Sequence, residues 1–238
     1  MPRPRYSIAI ETSTRAGELA LGRDDALIET VALPPQRRHH VGLMPGIDRV
    51  CRAHGLTPPD IGQAYVSLGP GSFTGLRVAV AAAKMLALAA AVELVGVPTL
   101  DVLARNAPHD HAYVAPCLNL KGETVYCGVY HRQAHAMTPV VEPALRTLDE
   151  LLREAPRPVA LLGEVLPPLP ADSGEAVTVL PAKLARPRAG TVWQLGHELA
   201  GAGRYADPMA FEPVYGRRPE AVELWERRRA SLPADSSA

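Results

Sequence analysis

The sequence has few cysteines and no excess of charge of either sign. Its 238 residues include only 3 cysteines, Cys51, Cys117 and Cys127, and no two of them have the Cys-x-x-Cys spacing of a zinc or redox motif. An odd number of cysteines argues against a disulfide framework. Lys+Arg and Asp+Glu are both 25, so the formal net charge is zero and bulk electrostatics does not favour direct nucleic-acid binding.

A long uninterrupted apolar run is also missing. The most hydrophobic stretch, residues 78–92, contains Lys84 and is shorter than the roughly 18–20 residues that a membrane span needs. The N-terminus has basic residues but no apolar core of the kind found in a secretory signal. We therefore expect a cytoplasmic, soluble protein with no membrane partner.

Alternating apolar residues and turn signals predict three strands, a helix, a strand, a helix and a short strand in the first half of the chain. The predicted strands are 6–11, 18–22, 26–33, 64–68 and 94–97, and the predicted helices are 43–54 and 75–91.

A similar order recurs from about residue 108. The predicted strands are 112–119, 123–131, 138–145, 158–163 and 176–180, and the predicted helices are 147–155 and 190–202. This repetition predicts a duplicated α/β architecture of two βββαβα units, with one lobe at 1–107 and the other at 108–238. The C-terminal segment either stays with the second lobe or returns to the first, and a disordered tail is expected from about residue 231.

The stretch "SLGPGSFTGLR" (67–77) carries three glycines between an apolar strand and a long helix. It lacks the Lys-Ser/Thr of a P-loop and the Gly-x-Gly-x-x-Gly of a dinucleotide fingerprint. Two interpretations stay open. The helix start and its hydroxyl groups could bind an anion, or the glycines could permit a sharp turn that Ser72 or Thr74 caps.

This stretch closely resembles the "GPGSFTGLR" signature of the bacterial TsaB family, also called YeaZ. Further resemblances are "IAIETST" near the N-terminus, "HHVGLMPGID" in the first helix, "GETVYCGVY" in the second lobe and "PVYGRRPEA" near the C-terminus. Together they span residues 8–221.

The resemblance implies the two-lobed actin-like fold of sugar kinases and Hsp70 (the ASKHA, RNase H-like class). It implies a non-catalytic scaffold or activator in the synthesis of threonylcarbamoyladenosine in tRNA. The implied partners are a paralogous TsaD-like transferase, with which the protein would form a heterodimer, and a small TsaE-like ATPase. A homodimer is expected when the chain is alone, and tRNA is expected to be contacted only through the complex.

The residues at two positions support the absence of catalysis. In the transferase paralogue, a helix carries two metal-binding histidines one turn apart, and the corresponding positions here are Thr99 and Leu103. Leucine cannot bind a metal. We therefore expect no metal, no cofactor and no catalytic residues.

The family usually has aspartate at the end of the first strand and in the second lobe, where this chain has Glu11 and Asn119. These departures weaken any claim for metal or phosphate chemistry. A vestigial phosphate-binding site would use Thr12, Ser13, Thr14, Gly69, Gly71 and Ser72.

The resemblance also implies a partner surface on the first two helices, and the alternative is that their apolar surface packs within its own lobe. Arg77 and Lys84 lie seven residues apart and share one stripe of their helix, where alanines permit close approach of another helix. The predicted partner-binding residues are Met44, Ile47, Cys51, Arg77, Val80, Ala83, Lys84 and Ala87. The alternative functions are a small-molecule kinase and a metallopeptidase-like enzyme of the same superfamily.

Overall fold

The chain forms two five-stranded mixed sheets with helices packed on them. The computed structural model describes residues 6–34, 39–121, 124–134, 136–170 and 173–216, so the predicted tail lies outside the described residues. The strands are β1 (Tyr6–Glu11), β2 (Glu18–Arg23), β3 (Ala26–Ala32), β4 (Ile61–Gly69), β5 (Glu93–Pro98), β6 (Tyr113–Lys121), β7 (Thr124–Gln133), β8 (Ala136–Thr147), β9 (Val159–Leu162) and β10 (Val177–Val179). The helices are α1 (His39–Ala53), α2 (Phe73–Ala90), α3 (Thr99–Asn106), α4 (Leu148–Glu154) and α5 (Ala189–Gly201).

The first sheet has the strand order β3-β2-β1-β4-β5. The antiparallel strands β1, β2 and β3 follow one another in the sequence, and β4 and β5 are then added in parallel on the other side of β1. The central strand β1 is buried along almost its whole length, because helices cover both of its faces.

The second sheet repeats this topology, with the order β10-β9-β6-β7-β8. The duplicated α/β architecture predicted from the sequence is confirmed. The two copies differ at one connection: α2 joins β4 to β5, whereas a loop containing Pro167, Pro168 and Pro170 joins β9 to β10. Proline has no backbone N–H and clashes with the preceding turn, so this loop cannot form a matching helix.

Two helices begin earlier than the sequence predicts. The second, α2, begins at Phe73 because the hydroxyl of Ser72 accepts a hydrogen bond from Gly75 N at 3.4 Å. The first, α1, begins at His39, so Pro45 lies inside the helix instead of in its first turn. Its end agrees with the prediction, since Gly55 has φ +66° just beyond it.

The helix α5 packs on the first sheet although it follows the second sheet in the sequence. Its Trp193 donates from Nε1 to Ser7 Oγ at 2.8 Å, and a Cβ at Gly196 would lie 2.4 Å from Tyr65 Cγ. The predicted boundary at residue 107 therefore separates the two sheets but not their helices.

Residues 205–216, which we call the strap, also return to the first sheet. Ala206 forms a bridge to Leu94, and Val214 N donates to Leu68 O at 2.8 Å. The ring of Phe211 is buried in the core of that sheet. The strap thus ties the end of the described chain to the first half.

Candidate functional site

The glycine-rich turn after β4 packs directly against the turn after β1. A Cβ at Gly75 would lie 1.9 Å from Thr12 O, and one at Gly71 would lie 2.4 Å from Ser13 O. No other residue fits at such distances. The glycines are therefore explained by close approach of the two backbones.

Hydrogen bonds fix the two turns to each other. Ser72 N donates to Ser13 O at 2.6 Å, and Thr12 Oγ1 donates to Gly75 O at 2.8 Å. Thr12 is fully buried, so its hydroxyl serves this contact and is closed to solvent. The turns form one rigid unit at the carboxyl ends of β1 and β4.

A carboxylate is buried beneath this unit. Glu11 Oε1 accepts hydrogen bonds from Ser13 N at 2.6 Å and Ser13 Oγ at 2.5 Å, and Oε2 has no hydrogen-bond partner among the described residues. Desolvation raises the pKa of Glu11 above its ordinary value, although Ser13 and Ser67 oppose the shift. Burial therefore shifts Glu11 towards its protonated form compared with an exposed glutamate.

An open cavity of about 680 Å³ lies beside the turns and is bordered by both halves of the molecule. We call it the hydroxyl cavity. It is lined by Ser13, Thr14, Arg15, Ala16, Gly71, Ser72, Leu118, Asn119, Glu164, Val165 and Arg186. Hydroxyl groups, two guanidinium groups and the start of α2 are a combination suited to an anion.

Four of the six predicted phosphate-site residues line this cavity, namely Ser13, Thr14, Gly71 and Ser72. The other two do not: Thr12 is buried, and Gly69 borders a different cavity. Two lining residues, Arg15 and Arg186, were not predicted from the sequence. Arg15 directly follows the predicted hydroxyl-bearing turn and could have been found, whereas Arg186 reaches the site only through the fold.

The two positions that match the paralogue's histidines lie on α3. Thr99 is buried at the first residue of the helix and its hydroxyl lies 2.9 Å from Ser67 Oγ. Leu103, one turn later, is fully buried in the core. Leu103 therefore cannot bind a metal, and the hydroxyl of Thr99 is buried against Ser67.

The packing of α1 against α2 buries part of the predicted partner surface. Four of the eight predicted residues are at most 6% exposed and belong to the core of the first half: Ile47, Cys51, Val80 and Ala83. They are buried because α1 and α2 contact each other and the sheet. Ala87 is partly buried against the same core. A partner can contact these residues only after the helices separate.

Another face of α2 stays open. Arg77, Ala81, Lys84, Met85 and Leu88 recur at helical spacing, and we call them the α2 face. Met85 and Leu88 are 59% and 73% exposed. On α1, the predicted residue Met44 is also exposed.

The strap holds the two charged residues of the α2 face. Lys84 Nζ donates to Met209 O at 3.1 Å, and Arg77 Nε donates to Tyr215 Oη at 3.0 Å. The Arg77 guanidinium also lies 3.9 Å from the centre of the Phe73 ring. The predicted binding residues Arg77 and Lys84 are therefore positioned by the chain itself.

Among the described ranges, α2 is the one helix long and apolar enough to span a bilayer by length and composition, and 39% of it is buried in the fold. The apolar stretch 78–92 was expected to be too short for a membrane span, but α2 has 18 residues because it begins earlier, at Phe73. A core helix of a soluble protein passes the same test, so this property is weak support for a membrane location.

The chain is similar to two related kinds of protein, named TsaD and TsaB. The model of the family TsaD, tRNA N6-adenosine threonylcarbamoyltransferase, matches residues 33–166. A relative, the tRNA threonylcarbamoyladenosine biosynthesis protein TsaB of Bacillus subtilis, is 31% identical over 159 residues, which cover 66% of this chain and 69% of that protein. The TsaB protein of Escherichia coli is 30% identical over 132 residues, which cover 55% of this chain and 57% of that protein.

The structural comparison agrees on the fold. YeaZ from Pseudomonas aeruginosa superimposes with a TM-score of 0.73 at 23% identity, and the alignment covers 89% of this chain and 99% of that one. The two-lobed α/β fold predicted from the sequence is thus confirmed. The identity of 31% to the Bacillus subtilis protein, over 69% of its length, shows that the chain belongs to the TsaB (YeaZ) family.

Proposed function

We propose that this chain is a non-catalytic subunit in the synthesis of threonylcarbamoyladenosine in tRNA, and that its α2 face binds a TsaD-like transferase. A TsaE-like ATPase would join this heterodimer, and tRNA would be contacted through the assembled complex. The chain alone would form a homodimer through the same face. All of these events would take place in the cytoplasm.

The observation that carries this proposal is the open apolar part of the α2 face. Leu88 and Met85 are large, apolar and mostly exposed, and they lie beside Lys84 on one helix. Apolar groups exposed together on a helix are a common feature of protein interfaces. A transferase helix packed here would remove both side chains from water.

The non-catalytic role is supported by what occupies the positions where chemistry would be expected. Leu103 has no ligand atom, the Thr99 hydroxyl is buried against Ser67, and Asn119 stands where a second acid would be needed. Glu11 is buried and accepts two hydrogen bonds from Ser13, so it is poorly placed to hold magnesium for a kinase.

The experiment replaces Leu88 with glutamate and measures binding to the transferase. An unpaired carboxylate in an interface costs about 3 kcal/mol, so we expect roughly 100-fold weaker binding. Val179→Glu is the matched control, because Val179 is 50% exposed and lies on β10 of the second sheet. This control should bind like the wild type.

Ala83 and Ile47 are unsuitable for this test. They are 0% and 5% exposed, so a glutamate at either position would disrupt the core of the first half. Circular dichroism must show that Leu88→Glu is folded. Transferase binding equal to the wild type by this folded variant would place the interface elsewhere.

The kinase alternative is tested separately by titrating the chain with ATP and magnesium. We expect no turnover by the isolated chain. Phosphorylation of a small molecule at a rate of several turnovers per minute, in a preparation free of other kinases, would contradict the proposal.

A further inference from the structure

A second cavity, of about 430 Å³, lies between the two sheets. We call it the tyrosine pocket. It is lined by Leu68, Gly69, Pro70, Gly96, Pro98, Leu100, Asp101, Tyr126, Tyr130, Pro139, Glu142, Pro143 and Val214. These residues come from β4, β5, α3, β7, β8 and the strap, so the pocket depends on the packing of both halves. The proposed function does not use it.

The pocket has apolar walls and two acidic groups. Asp101 and Glu142 are the charged residues of the described lining, and no lysine, arginine or histidine accompanies them there. Burial raises the pKa of Asp101, and the nearby carboxylate of Glu142 raises it further by a smaller amount. An anion would therefore be repelled, and a cation would relieve the repulsion.

The aromatic rings are fixed in place. Tyr130 is 1% exposed and its hydroxyl donates to Asp101 Oδ1 at 2.7 Å, which orients the carboxylate. Tyr126 borders the same space and is partly buried. Tyrosine rings attract cations, and a carboxylate beside them can accept hydrogen bonds from a planar guanidinium group.

A proline-rich wall completes the pocket. Pro98, Pro139 and Pro143 present apolar surface that an alkyl stem could cover, and the buried Pro70 supports this wall. The backbone at the rim is close-packed, since a Cβ at Gly69 would lie 2.4 Å from Val214 O of the strap. The cavity is thus preformed and does not need to open around a ligand.

We propose that the tyrosine pocket binds a guanidinium group carried on an apolar stem, as in an arginine side chain or a small alkylguanidine. Asp101 and Glu142 would accept hydrogen bonds from the guanidinium, the partly buried Tyr126 ring would contact its face, and the exposed prolines of the lining would contact the stem. This site is distinct from the α2 face and from the hydroxyl cavity.

The test is a calorimetric titration with N-acetyl-arginine amide. N-acetyl-citrulline amide is the matched control ligand, because it has nearly the same shape without the charge. We expect the arginine derivative to bind at least about tenfold more tightly than the citrulline derivative. The difference should shrink as salt is added.

Three variants identify the site. Glu142→Gln and Asp101→Asn should each weaken binding of the arginine derivative by about tenfold. Asp48→Asn, which removes an exposed carboxylate on α1, should leave binding unchanged. Glu142 is exposed, so its variant tests the proposal even where Asp101→Asn loses stability.

The titrations should be repeated on the variant Arg217→Gln, Arg218→Gln, because these two arginines follow the strap in the sequence and are a second source of the same chemistry. Tighter binding in this variant would identify the chain's own arginines as competitors and would support the pocket's preference. Three results would each overturn the proposal. They are equal binding of the arginine and citrulline derivatives, unchanged binding in Glu142→Gln, and no binding to the wild type or to the variant that lacks both arginines.

Discussion

The two halves of the molecule share one strand order but differ in how their helices cover it. In the first half, α1 and α2 both pack over the sheet, and α2 connects β4 to β5 in the sequence. In the second half, α4 packs on β7 and β8, and a proline-containing loop stands where α2 would be. The helix that one half has and the other lacks is therefore the one that carries the exposed α2 face. Duplication explains the scaffold, and divergence at this connection explains where a partner could bind.

The halves also exchange contacts through their last helices. The helix α5 follows the second sheet but packs on β1, β2, β4 and β5 of the first. The helix α3 follows the first sheet and contacts β6, β7 and β8 of the second. If the two halves were separated, each sheet would lose a helix that packs on it. We therefore expect the two sheets to depend on each other for stability.

Replacing Gly196 with valine tests this dependence and should have the largest effect. The new Cβ would lie 2.4 Å from Tyr65 Cγ, so α5 would be forced away from the first sheet. We expect the free energy of unfolding in urea to fall by about 3 kcal/mol or more. Hydrogen exchange should show that β1 and β4 lose protection, although the substitution lies after the second sheet.

Gly201→Val is the control for this substitution. Gly201 ends the same helix, and a Cβ at this residue would meet no atom within 4 Å, so the change should stay within about 0.5 kcal/mol. Loss of protection confined to the second sheet in Gly196→Val would show that α5 does not stabilise the first.

The order of strands was predictable from the sequence because strand and turn signals are local. The predicted limits of β1 agree with the structure, and those of α2 differ by two residues at its start. The short helix α3 was missed, since its eight residues follow β5 without a break. The packing of α5 on the first sheet was missed because apolar periodicity indicates that a face is buried but not which surface covers it.

The same limit explains the prediction of the partner surface. Periodicity placed Ala83 and Leu88 on one apolar helix, but only tertiary packing makes the first 0% and the second 73% exposed. The small residues of α2 are compatible with a partner helix or with packing inside the lobe, and the structure shows that α1 packs against α2 and that Ala83 is buried. The glycine-rich turn, by contrast, carried the family resemblance and the close backbone contacts in one short motif.

A second test compares the ends of the matching strands β1 and β6. Glu11 is 0% exposed at the end of β1, whereas Asn119 is exposed near the end of β6. Burial raises the pKa of Glu11 above its ordinary value of 4.5. The folded protein therefore binds the proton of Glu11 more tightly than the unfolded chain does. The stabilisation that this proton gives is complete below the unfolded pKa and is lost as the pH rises through the folded pKa.

Glu11→Gln should remove this pH dependence. Glutamine keeps an oxygen for the two hydrogen bonds from Ser13 and cannot ionise. We expect the stability of the variant relative to the wild type to increase between pH 5 and pH 8, as measured by urea unfolding. Asn119→Asp serves as the comparison and should show no such trend, because its carboxylate would remain in water. A wild-type protein whose stability relative to Glu11→Gln rises with pH would contradict a raised pKa of Glu11.

The smallest expected effect compares the starts of α4 and α2. Thr147 Oγ1 accepts from Glu150 N at 3.2 Å, and Thr147 N donates to Glu150 Oε2 at 2.8 Å, so both partners of a capping box are present. At α2 the matching contact from Gly75 N to Ser72 Oγ is longer, at 3.4 Å, and no return contact accompanies it among the described residues. Thr147→Ala should therefore cost about 1 kcal/mol and Ser72→Ala about half as much, measured as free energies of unfolding in urea. Since hydrogen bonds from Thr147 lower the pKa of Glu150, this capping contribution is present above the unfolded carboxyl pKa, and the cost of Thr147→Ala should shrink as the pH falls through the folded pKa. If Ser72→Ala costs as much stability as Thr147→Ala or more, Ser72 must stabilise more than the start of α2. The glycine-rich turn would then contribute more to the stability of the first half than the long hydrogen bond from Gly75 N predicts.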